Sequence, residues 1–114
     1  MKSRVSERAA AQPRLERVAH EMEAHAEQAA KLLKALANEQ RLMILCQLLQ
    51  GPLAVGEINE RVPLSQSALS QHLAKLREAE IVTTTRESQV VRYSLPVGVV
   101  TRLMSALYDE FCAR

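Results

Sequence analysis

Residues 55–76, with the sequence VGEINERVPLSQSALSQHLAKL, contain the pattern that decides the fold. Apolar side chains recur at helical spacing in the first part of this stretch, which predicts a short helix over residues 55–61. Pro63 ends that helix, and Ser65 is a good N-cap for a second helix that we expect to run to about Ala79. The apolar stripe of this second helix consists of Leu69, Leu73 and Leu76. Two helices joined by so short a turn are typical of a helix-turn-helix.

The opposite face of the second helix is small, hydroxylated and rich in amides. On a helical wheel of about 100° per residue, four residues lie opposite the apolar stripe: Ser67, Ser70, Gln71 and Ala74. Small residues let a helix approach the major groove closely, Gln can pair with adenine edges, and Ser hydroxyls suit phosphates or bases. The alternative is an ordinary exposed helix, whose face would be richer in Glu and Lys. The predicted DNA-contacting residues are Ser65, Gln66, Ser67, Ser70, Gln71, His72 and Lys75.

A β-hairpin is predicted directly after the second helix. The apolar period changes there from about 3.6 to about 2 residues, in two segments rich in Thr, Val and Tyr, Val82–Arg86 and Val90–Leu95. Such a hairpin forms the wing of a winged helix-turn-helix. Arg86 and Arg92 flank its turn and are predicted phosphate contacts, with solvated charges at the strand edge as the alternative.

Three more helices are predicted around this unit, which gives a mainly α fold in the order helix, helix, helix, helix, hairpin, helix. They cover Leu15–Ala37, about Glu39–Gln50 behind an Asn38 N-cap, and about Pro96–Phe111. The middle one is apolar nearly all round, so we expect it to be buried. The first and last carry wider apolar faces than a small domain needs, and aromatic residues make up only 3% of the chain. Both observations predict a homodimer through the first and last helices.

Length and composition exclude several classes of protein. A chain of 114 residues is one domain, which we expect to comprise a flexible basic arm over residues 1–14 and a folded domain over residues 15–114. The arm can reach DNA phosphates, although a solvated tail is the more frequent case. With no membrane-spanning apolar run and no secretory signal, we expect a cytoplasmic protein. Three Gly cannot supply a phosphate-binding loop, so neither a cofactor nor an enzyme activity is expected.

Two stretches resemble the ArsR/SmtB family of winged-helix repressors. One is residues 65–73, SQSALSQHL, continued by Leu76, Ile81 and Val82; the other is residues 36–42, LANEQRL, with Ile44 and Leu45. The resemblance covers about residues 28–113 and implies a homodimeric bacterial repressor that binds an inverted repeat in double-stranded DNA. Glu80 and the wing turn, residues 87–89, stand where the family usually has Gly. In the left-handed conformation that such a Gly often adopts, Glu80 costs about 1 kcal/mol.

The resemblance also bears on what the protein senses. Metal-sensing members of the family usually have a Cys-x-Cys in the third helix, or Asp, His and Glu ligands in the last helix. Here the third helix has no Cys and the last has Asp109 and Glu110 but no His, so no metal site is predicted. Cys46 in the second helix and Cys112 at the end of the last helix resemble the BigR/SqrR-like branch, which responds to persulfides and oxidants.

This branch implies a reversible thiol switch. Reduced protein holds the operator, and a bridge between Cys46 and Cys112, formed by an oxidant or by persulfide sulfur, releases it. Asp109, Glu110 and the negative end of the last helix disfavour a Cys112 thiolate, so we expect Cys46 to react first. Three alternatives stay open. Cys46 is an ordinary core residue, the two thiols and a carboxylate bind a metal or metalloid, or the chain is a small dithiol enzyme, which the absence of a CxxC motif disfavours.

Overall fold

The computed structural model describes residues 14–112, which fall into two compact units, one ending at Leu33 and one beginning at Lys34. Apart from Arg14, the predicted arm of residues 1–14 lies outside the described residues. Helix α1 covers residues 14–23 and helix α2 covers Ala26–Leu36. The chain continues with α3 (Glu39–Leu48), β1 (Leu53–Ala54), α4 (Val55–Arg61), α5 (Gln66–Glu78), β2 (Thr83–Glu87), β3 (Val90–Ser94) and α6 (Val99–Phe111). This order confirms the predicted winged helix-turn-helix and adds one strand, β1.

The prediction of one continuous helix over Leu15–Ala37 is wrong, because a turn at Ala24 and His25 separates α1 from α2. The His25 N–H donates to the Met22 carbonyl at 2.9 Å, and the His25 carbonyl accepts from the Ala29 N–H at 2.9 Å. The hydrogen bonds that follow α1 therefore end at the N–H of His25, and those of α2 begin at its carbonyl. Since the turn takes up only two residues, the helical spacing of apolar side chains continues across it and does not reveal the break.

Helix α3 begins at the predicted N-cap, where Asn38 Oδ1 accepts from the Arg41 N–H at 3.0 Å. Its buried residues are Ile44, Leu45 and Leu48. Met43, which is 41% exposed, and Cys46 lie on the open side of the helix. The expectation that this helix is buried nearly all round is therefore wrong for the described protomer, in which the core covers the side that carries the three buried residues.

Helices α4 and α5 form the helix-turn-helix, with bounds within one residue of the prediction. Ser65 Oγ accepts from the Ala68 N–H at 3.2 Å and so caps α5 as expected. Asn59 Nδ2 donates to the Leu64 carbonyl at 2.8 Å, which fastens α4 to the turn. The short connection is thus held by side chains that satisfy backbone groups.

The end of α5 is a Schellman motif, in which Glu80 has the left-handed conformation that a Gly often adopts. The Glu80 N–H donates to the Arg77 carbonyl at 3.0 Å, and the Ile81 N–H donates to the Leu76 carbonyl at 2.9 Å. Glu80 has a φ of 60°. Ile81 and Leu76 are both buried, as the apolar pair that accompanies this motif usually is.

The wing is a hairpin with a two-residue turn. Strands β2 and β3 pair antiparallel, from Thr83 opposite Ser94 to Glu87 opposite Val90. The turn residue Ser88 has a φ of 57°. A positive φ at the first central residue alone is the pattern of a type II′ turn, in which Gly is usual. The predicted strands are correct to within one residue at each end.

Strand β1 was not predicted from the sequence. It has only two residues, which are too few to show a period, and it pairs antiparallel with β3 through Leu53 opposite Tyr93 and Ala54 opposite Arg92. The sheet order is β1-β3-β2. Pairing with β1 fixes the wing to the segment that leads directly into α4.

Helix α6 begins at Val99, three residues after the expected start near Pro96. Its hydrogen bonding begins with the Gly98 carbonyl, which accepts from the Arg102 N–H at 3.2 Å, while Thr101 Oγ1 donates to the Pro96 carbonyl at 2.8 Å. Pro96 therefore precedes the first helical turn instead of occupying it. No described helix is long and apolar enough to cross a membrane.

The core lies in the unit that begins at Lys34, and among the described residues it contains no aromatic side chain. Aliphatic residues of all five helices of this unit, the β1 strand and the α5–β2 connection meet there, with one methionine. The core residues are Leu36, Ile44, Leu45, Leu48, Leu53, Ile58, Val62, Leu69, Leu73, Leu76, Ile81, Val82, Val100 and Met104.

Candidate nucleic-acid interface and cysteine pair

The outer face of α5 is polar and open to solvent. Leu69, Leu73 and Leu76 are at most 1% exposed and hold the helix against the core. Lys75 and Arg77 add positive charge to its last turn. The face therefore combines hydroxyls, amides and cations, the groups that contact phosphates and base edges. The predicted DNA-contacting residues that the structure leaves exposed are Ser65, Gln66, Ser67, Ser70, Gln71 and Lys75.

His72, which was also predicted to contact DNA, is half-buried and bonded to α3. Its Nδ1 accepts from Arg41 Nε at 3.3 Å. The other nitrogen, Nε2, lies 2.8 Å from Gln40 Oε1 and donates to it, because an accepting Nδ1 leaves the ring proton on Nε2. Burial lowers the pKa of His72, and the positive charges of Arg41 and Lys75 lower it further. Both ring nitrogens are thus engaged inside the protomer.

Arg86 and Arg92, the predicted phosphate contacts of the wing, have different surroundings. Arg86 is exposed close to the tip of the hairpin. Arg92 Nη1 lies 3.1 Å from Glu57 Oε1, and Arg92 Nε lies 3.8 Å from Glu87 Oε1. Glu57 Oε1 also accepts from the Ala54 N–H at 2.9 Å. This backbone hydrogen bond, and to a smaller extent Arg92, lower the pKa of Glu57 against the opposing effect of desolvation. Arg92 therefore ties β3 to α4.

Cys46 lies on α3 and Cys112 directly follows α6, and these two helices are in contact. Both are free thiols, and both are exposed in the described protomer. Partial burial raises the pKa of Cys46, and the nearby Cys112 raises it further, since two adjacent thiolates repel each other. In the described protomer, Cys46 is therefore not part of the core. A raised pKa also works against the expectation that Cys46 reacts first, because only the thiolate is the nucleophile.

Metal ligation has little support within residues 14–112. No three His, Cys, Asp or Glu side chains of this range are grouped so that they could hold a metal ion. His20 pairs at 3.7 Å with Glu23 on the surface of α1. His72 uses its two nitrogens for Arg41 and Gln40.

Exposed apolar side chains occur in both units. The unit that ends at Leu33 exposes Leu15, Val18, Met22 and Leu33, of which the first three are spaced along one side of α1. In the unit that begins at Lys34, helix α6 exposes Val99, Leu107, Tyr108 and Phe111. Helix α6 buries Val100 and Met104 on its other side. These helices are the ones whose apolar faces were predicted to exceed the needs of a single protomer.

The sequence did not single out Gln40, Arg41 and Glu57 as functional residues. Each acts on a residue of the predicted interface that is more than 30 positions away, Gln40 and Arg41 on His72 and Glu57 on Arg92. Helical and strand periods describe neighbours along one element, so they carry no signal for such pairs. Glu57 alone had a local signal, because an acidic residue in the first turn of a helix can accept from a backbone N–H at its start.

A family model described as bacterial regulatory protein, arsR family, matches residues 38–84, which include α3, the helix-turn-helix and the start of the wing. The transcriptional activator HlyU of Vibrio cholerae is 50% identical over 92 residues, which make up 81% of this chain and 85% of HlyU.

Two solved structures show the same fold. That of reduced HlyU from Vibrio cholerae matches with a TM-score of 0.75 and 50% identity, over 81% of this chain and 97% of the other. That of the transcriptional repressor BigR from Xylella fastidiosa matches with a TM-score of 0.75 and 40% identity, over 83% of this chain and 97% of the other. This chain therefore matches nearly the whole length of both solved structures.

Proposed function

The chain belongs to the ArsR family of bacterial regulatory proteins, and from this premise we propose that it is a homodimeric repressor that releases an inverted-repeat operator when Cys46 and Cys112 are joined. Its relatives are named as regulators of transcription, and it is a DNA-binding regulator, not an enzyme. The observation that carries the proposal is that two free thiols lie on contacting helices of a winged helix-turn-helix.

The surface of α5 and the wing support the DNA-binding part of the proposal. In a helix-turn-helix the second helix enters the major groove, and α5 exposes the Ser, Gln and Lys side chains that suit base edges and phosphates. Arg86 is exposed near the tip of the wing, where a phosphate contact requires no rearrangement of an internal ion pair. Arg92 must give up its contacts with Glu57 and Glu87 to reach DNA.

The exposed apolar faces support the homodimer. Leu15, Val18 and Met22 on α1, and Leu107 and Phe111 on α6, are at least 40% exposed. Apolar patches of this kind are removed from water when a second copy covers them. A two-fold dimer presents two α5 helices in opposite orientation. Its operator is therefore an inverted repeat with half-sites about 34–36 Å apart.

The atoms and electrons of the thiol switch balance when a persulfide, RSSH, is the oxidant. The thiolate of the first Cys attacks the outer sulfur, which forms Cys–S–SH and releases RS⁻. The thiolate of the second Cys attacks the Sγ of the first, which forms the Cys46–Cys112 disulfide and releases HS⁻. The two thiols together lose two electrons, and the persulfide takes them up as thiol and sulfide. The bridge ties α3 to α6 and so changes the geometry of the dimer that presents α5.

Operator binding by reduced and oxidised protein tests the switch. A duplex of about 30 base pairs, long enough for two half-sites, is first selected from a random pool with the reduced wild-type protein. Fluorescence anisotropy then gives the Kd before and after treatment with glutathione persulfide, hydrogen peroxide or Zn²⁺. We expect persulfide to raise the wild-type Kd at least about tenfold, and to have no effect on Cys46→Ser, Cys112→Ser or the double variant.

An equal Kd for reduced and persulfide-treated protein contradicts the switch. Release by Zn²⁺ but not by persulfide favours a metal-responsive repressor instead. Intact mass distinguishes the products, because a disulfide lowers the protomer mass by two hydrogens and a longer sulfur bridge adds whole sulfur atoms. Alkylation followed by mass spectrometry orders the thiols, and faster labelling of Cys112 reverses the order expected from the sequence.

A further inference from the structure

Three side chains join the recognition helix α5 to α3. His72 on α5 accepts from Arg41 Nε at 3.3 Å and donates to Gln40 Oε1 at 2.8 Å. Arg41 Nη1 also donates to the Ala35 carbonyl in the last turn of α2, at 3.2 Å. The side chain of Arg41 thus contacts the end of α2 and the middle of α5 at once. We call Gln40, Arg41 and His72 the histidine bridge.

The histidine bridge adds a directional constraint to the constraint that the core imposes on α5. Leu69, Leu73 and Leu76 hold α5 against the core through apolar contacts, which are non-directional. Hydrogen bonds are directional, and they weaken steeply when the donor angle departs from linearity. His72 directly follows Gln71, which lies on the polar outer face, and directly precedes Leu73, which is buried. A bond at this boundary fixes the rotation of α5 about its own axis.

We infer that His72 is a positioning residue for operator recognition, which acts through Arg41 and Gln40 to hold α5 in the rotation that presents Ser67, Ser70 and Gln71 to DNA. The inference rests on the DNA-binding part of the proposed function and is independent of the thiol switch. It also changes the role expected of His72, from a residue that touches DNA to one that orients the residues that do.

The histidine bridge requires a neutral imidazole. Nδ1 accepts from Arg41 only when it carries no proton, whereas an imidazolium has two donors and no acceptor. The charged groups that act on His72 are Arg41 from α3 and Lys75 from α5, and both are positive. Protonation therefore breaks the bond to Arg41 and adds a repulsion between two cations. The lowered pKa of His72 has the same physical origin.

The effect of pH on operator binding that the histidine bridge predicts is opposite to the general electrostatic trend. When pH falls, exposed histidines gain positive charge, which strengthens the attraction of any protein to DNA phosphates. The histidine bridge predicts weaker binding of the operator over the same range. A Kd that rises on acidification is therefore specific for the loss of the bridge.

The test measures the Kd for the selected duplex at about pH 7.5 and about pH 5.5, on either side of the usual histidine pKa. The protein is kept reduced and the ionic strength constant. We expect the wild-type Kd to rise severalfold at the lower pH, and by less than the about tenfold loss of a complete charge-assisted hydrogen bond, because the lowered pKa keeps part of the His72 population neutral there. In His72→Gln, whose side chain does not titrate, only the general electrostatic trend remains, so the ratio of the Kd at low pH to that at high pH falls to one or below. The matched control is His20→Gln, on the surface of α1, which keeps the wild-type ratio.

Arg41→Lys gives a second arm, because one ammonium cannot bond to both the Ala35 carbonyl and His72 in the geometry of a guanidinium. We expect about tenfold weaker binding at about pH 7.5, with an unchanged circular dichroism spectrum. The inference is overturned if wild-type protein and His72→Gln share the same pH ratio, or if wild-type binding tightens on acidification. If His72→Gln does not fold, two other measurements decide: the pH ratio of the wild-type Kd, and the operator Kd of Gln40→Ala, which lacks one bond of the histidine bridge. Failure to select any duplex contradicts the proposed DNA binding itself, and so is distinct from these outcomes.

Discussion

Two non-glycine residues with positive φ lie next to the elements proposed to contact DNA. Glu80, at 60°, connects α5 to the wing, and Ser88, at 57°, forms the tip of the wing. An L-residue pays about 1–2 kcal/mol in this conformation. Both persist because their surroundings determine the backbone: the Schellman hydrogen bonds at the end of α5 fix Glu80, and the β2–β3 ladder fixes Ser88. At both positions the backbone keeps the positive φ that suits Gly, although the residue is not Gly.

Replacement of Glu80 by Gly is expected to stabilise the protein. Gly adopts a positive φ without steric cost, so Glu80→Gly raises the free energy of unfolding by about 1 kcal/mol. Urea unfolding followed by circular dichroism measures the change. The control is Glu78→Gly, which places Gly in the last turn of α5, where it lowers the free energy of unfolding by up to about 1 kcal/mol. A loss of stability in Glu80→Gly contradicts the prediction.

Side chains bonded to backbone groups close the ends of the elements in the helix-turn-helix. Ser65 caps α5, Asn59 bonds to the Leu64 carbonyl in the turn, and Glu57 bonds to the Ala54 N–H at the start of α4. Each bond lies at an element boundary, where helical hydrogen bonding leaves backbone groups without partners. Of these three bonds, the one from Asn59 reaches from a helix into the turn, so it constrains the connection between α4 and α5 directly.

The N-cap of α5 provides a prediction at this scale. Ser65→Ala removes the acceptor for the Ala68 N–H and is expected to lower the free energy of unfolding by about 1 kcal/mol. The control is Ser67→Ala, the same chemical change two residues further along, on an exposed side chain whose hydroxyl lies 3.4 Å from Ser65 Oγ. It is expected to change the free energy of unfolding by less than about 0.5 kcal/mol. Thermal unfolding of the two variants compares them directly. Equal losses would show that Ser65 does not act as a cap.

On the scale of the whole molecule, α3 connects the proposed DNA-binding helix to the proposed thiol switch. Gln40 and Arg41 in its first turns contact His72 on α5, and Cys46 further along the same helix lies near Cys112 on α6. In the proposed switch, a bridge at Cys46 pulls on the helix that orients the DNA-facing surface. The histidine bridge thus offers a route by which a change at the thiols reaches α5.

The proposed homodimer is tested by a charge placed on the exposed apolar face of α6. Leu107→Glu buries a carboxylate in the interface, so we expect dimer dissociation to increase at least about tenfold, with a parallel rise in the operator Kd. Light scattering coupled to size-exclusion chromatography gives the mass in solution. The protomer should still fold, because Leu107 is 40% exposed within it. The control is Val97→Glu, the same kind of change at a fully exposed loop residue, which we expect to stay dimeric. A Leu107→Glu variant that stays dimeric contradicts this interface.

The sequence predicted most elements correctly because their signals are local. The Asn38 and Ser65 caps, the leucine stripe of α5 and the change of period at the wing all lie within one element or at its end. Two of the errors have a simple origin in the periodicity of the sequence. Strand β1 is too short for a period, and the two-residue break at His25 does not disturb the apolar spacing of α1 and α2.

By itself, the sequence determined the fold class, the polar face of α5 and the pair of cysteines, since each follows from residue types at a fixed spacing along the chain. Only the tertiary structure decided what these residues meet. It placed Cys46 on an open side of α3 near Cys112, bonded His72 to Arg41 and Gln40, and paired Arg92 with Glu57. Such contacts join residues far apart in the chain, and they depend on how helices and strands pack, which no periodicity along one element specifies.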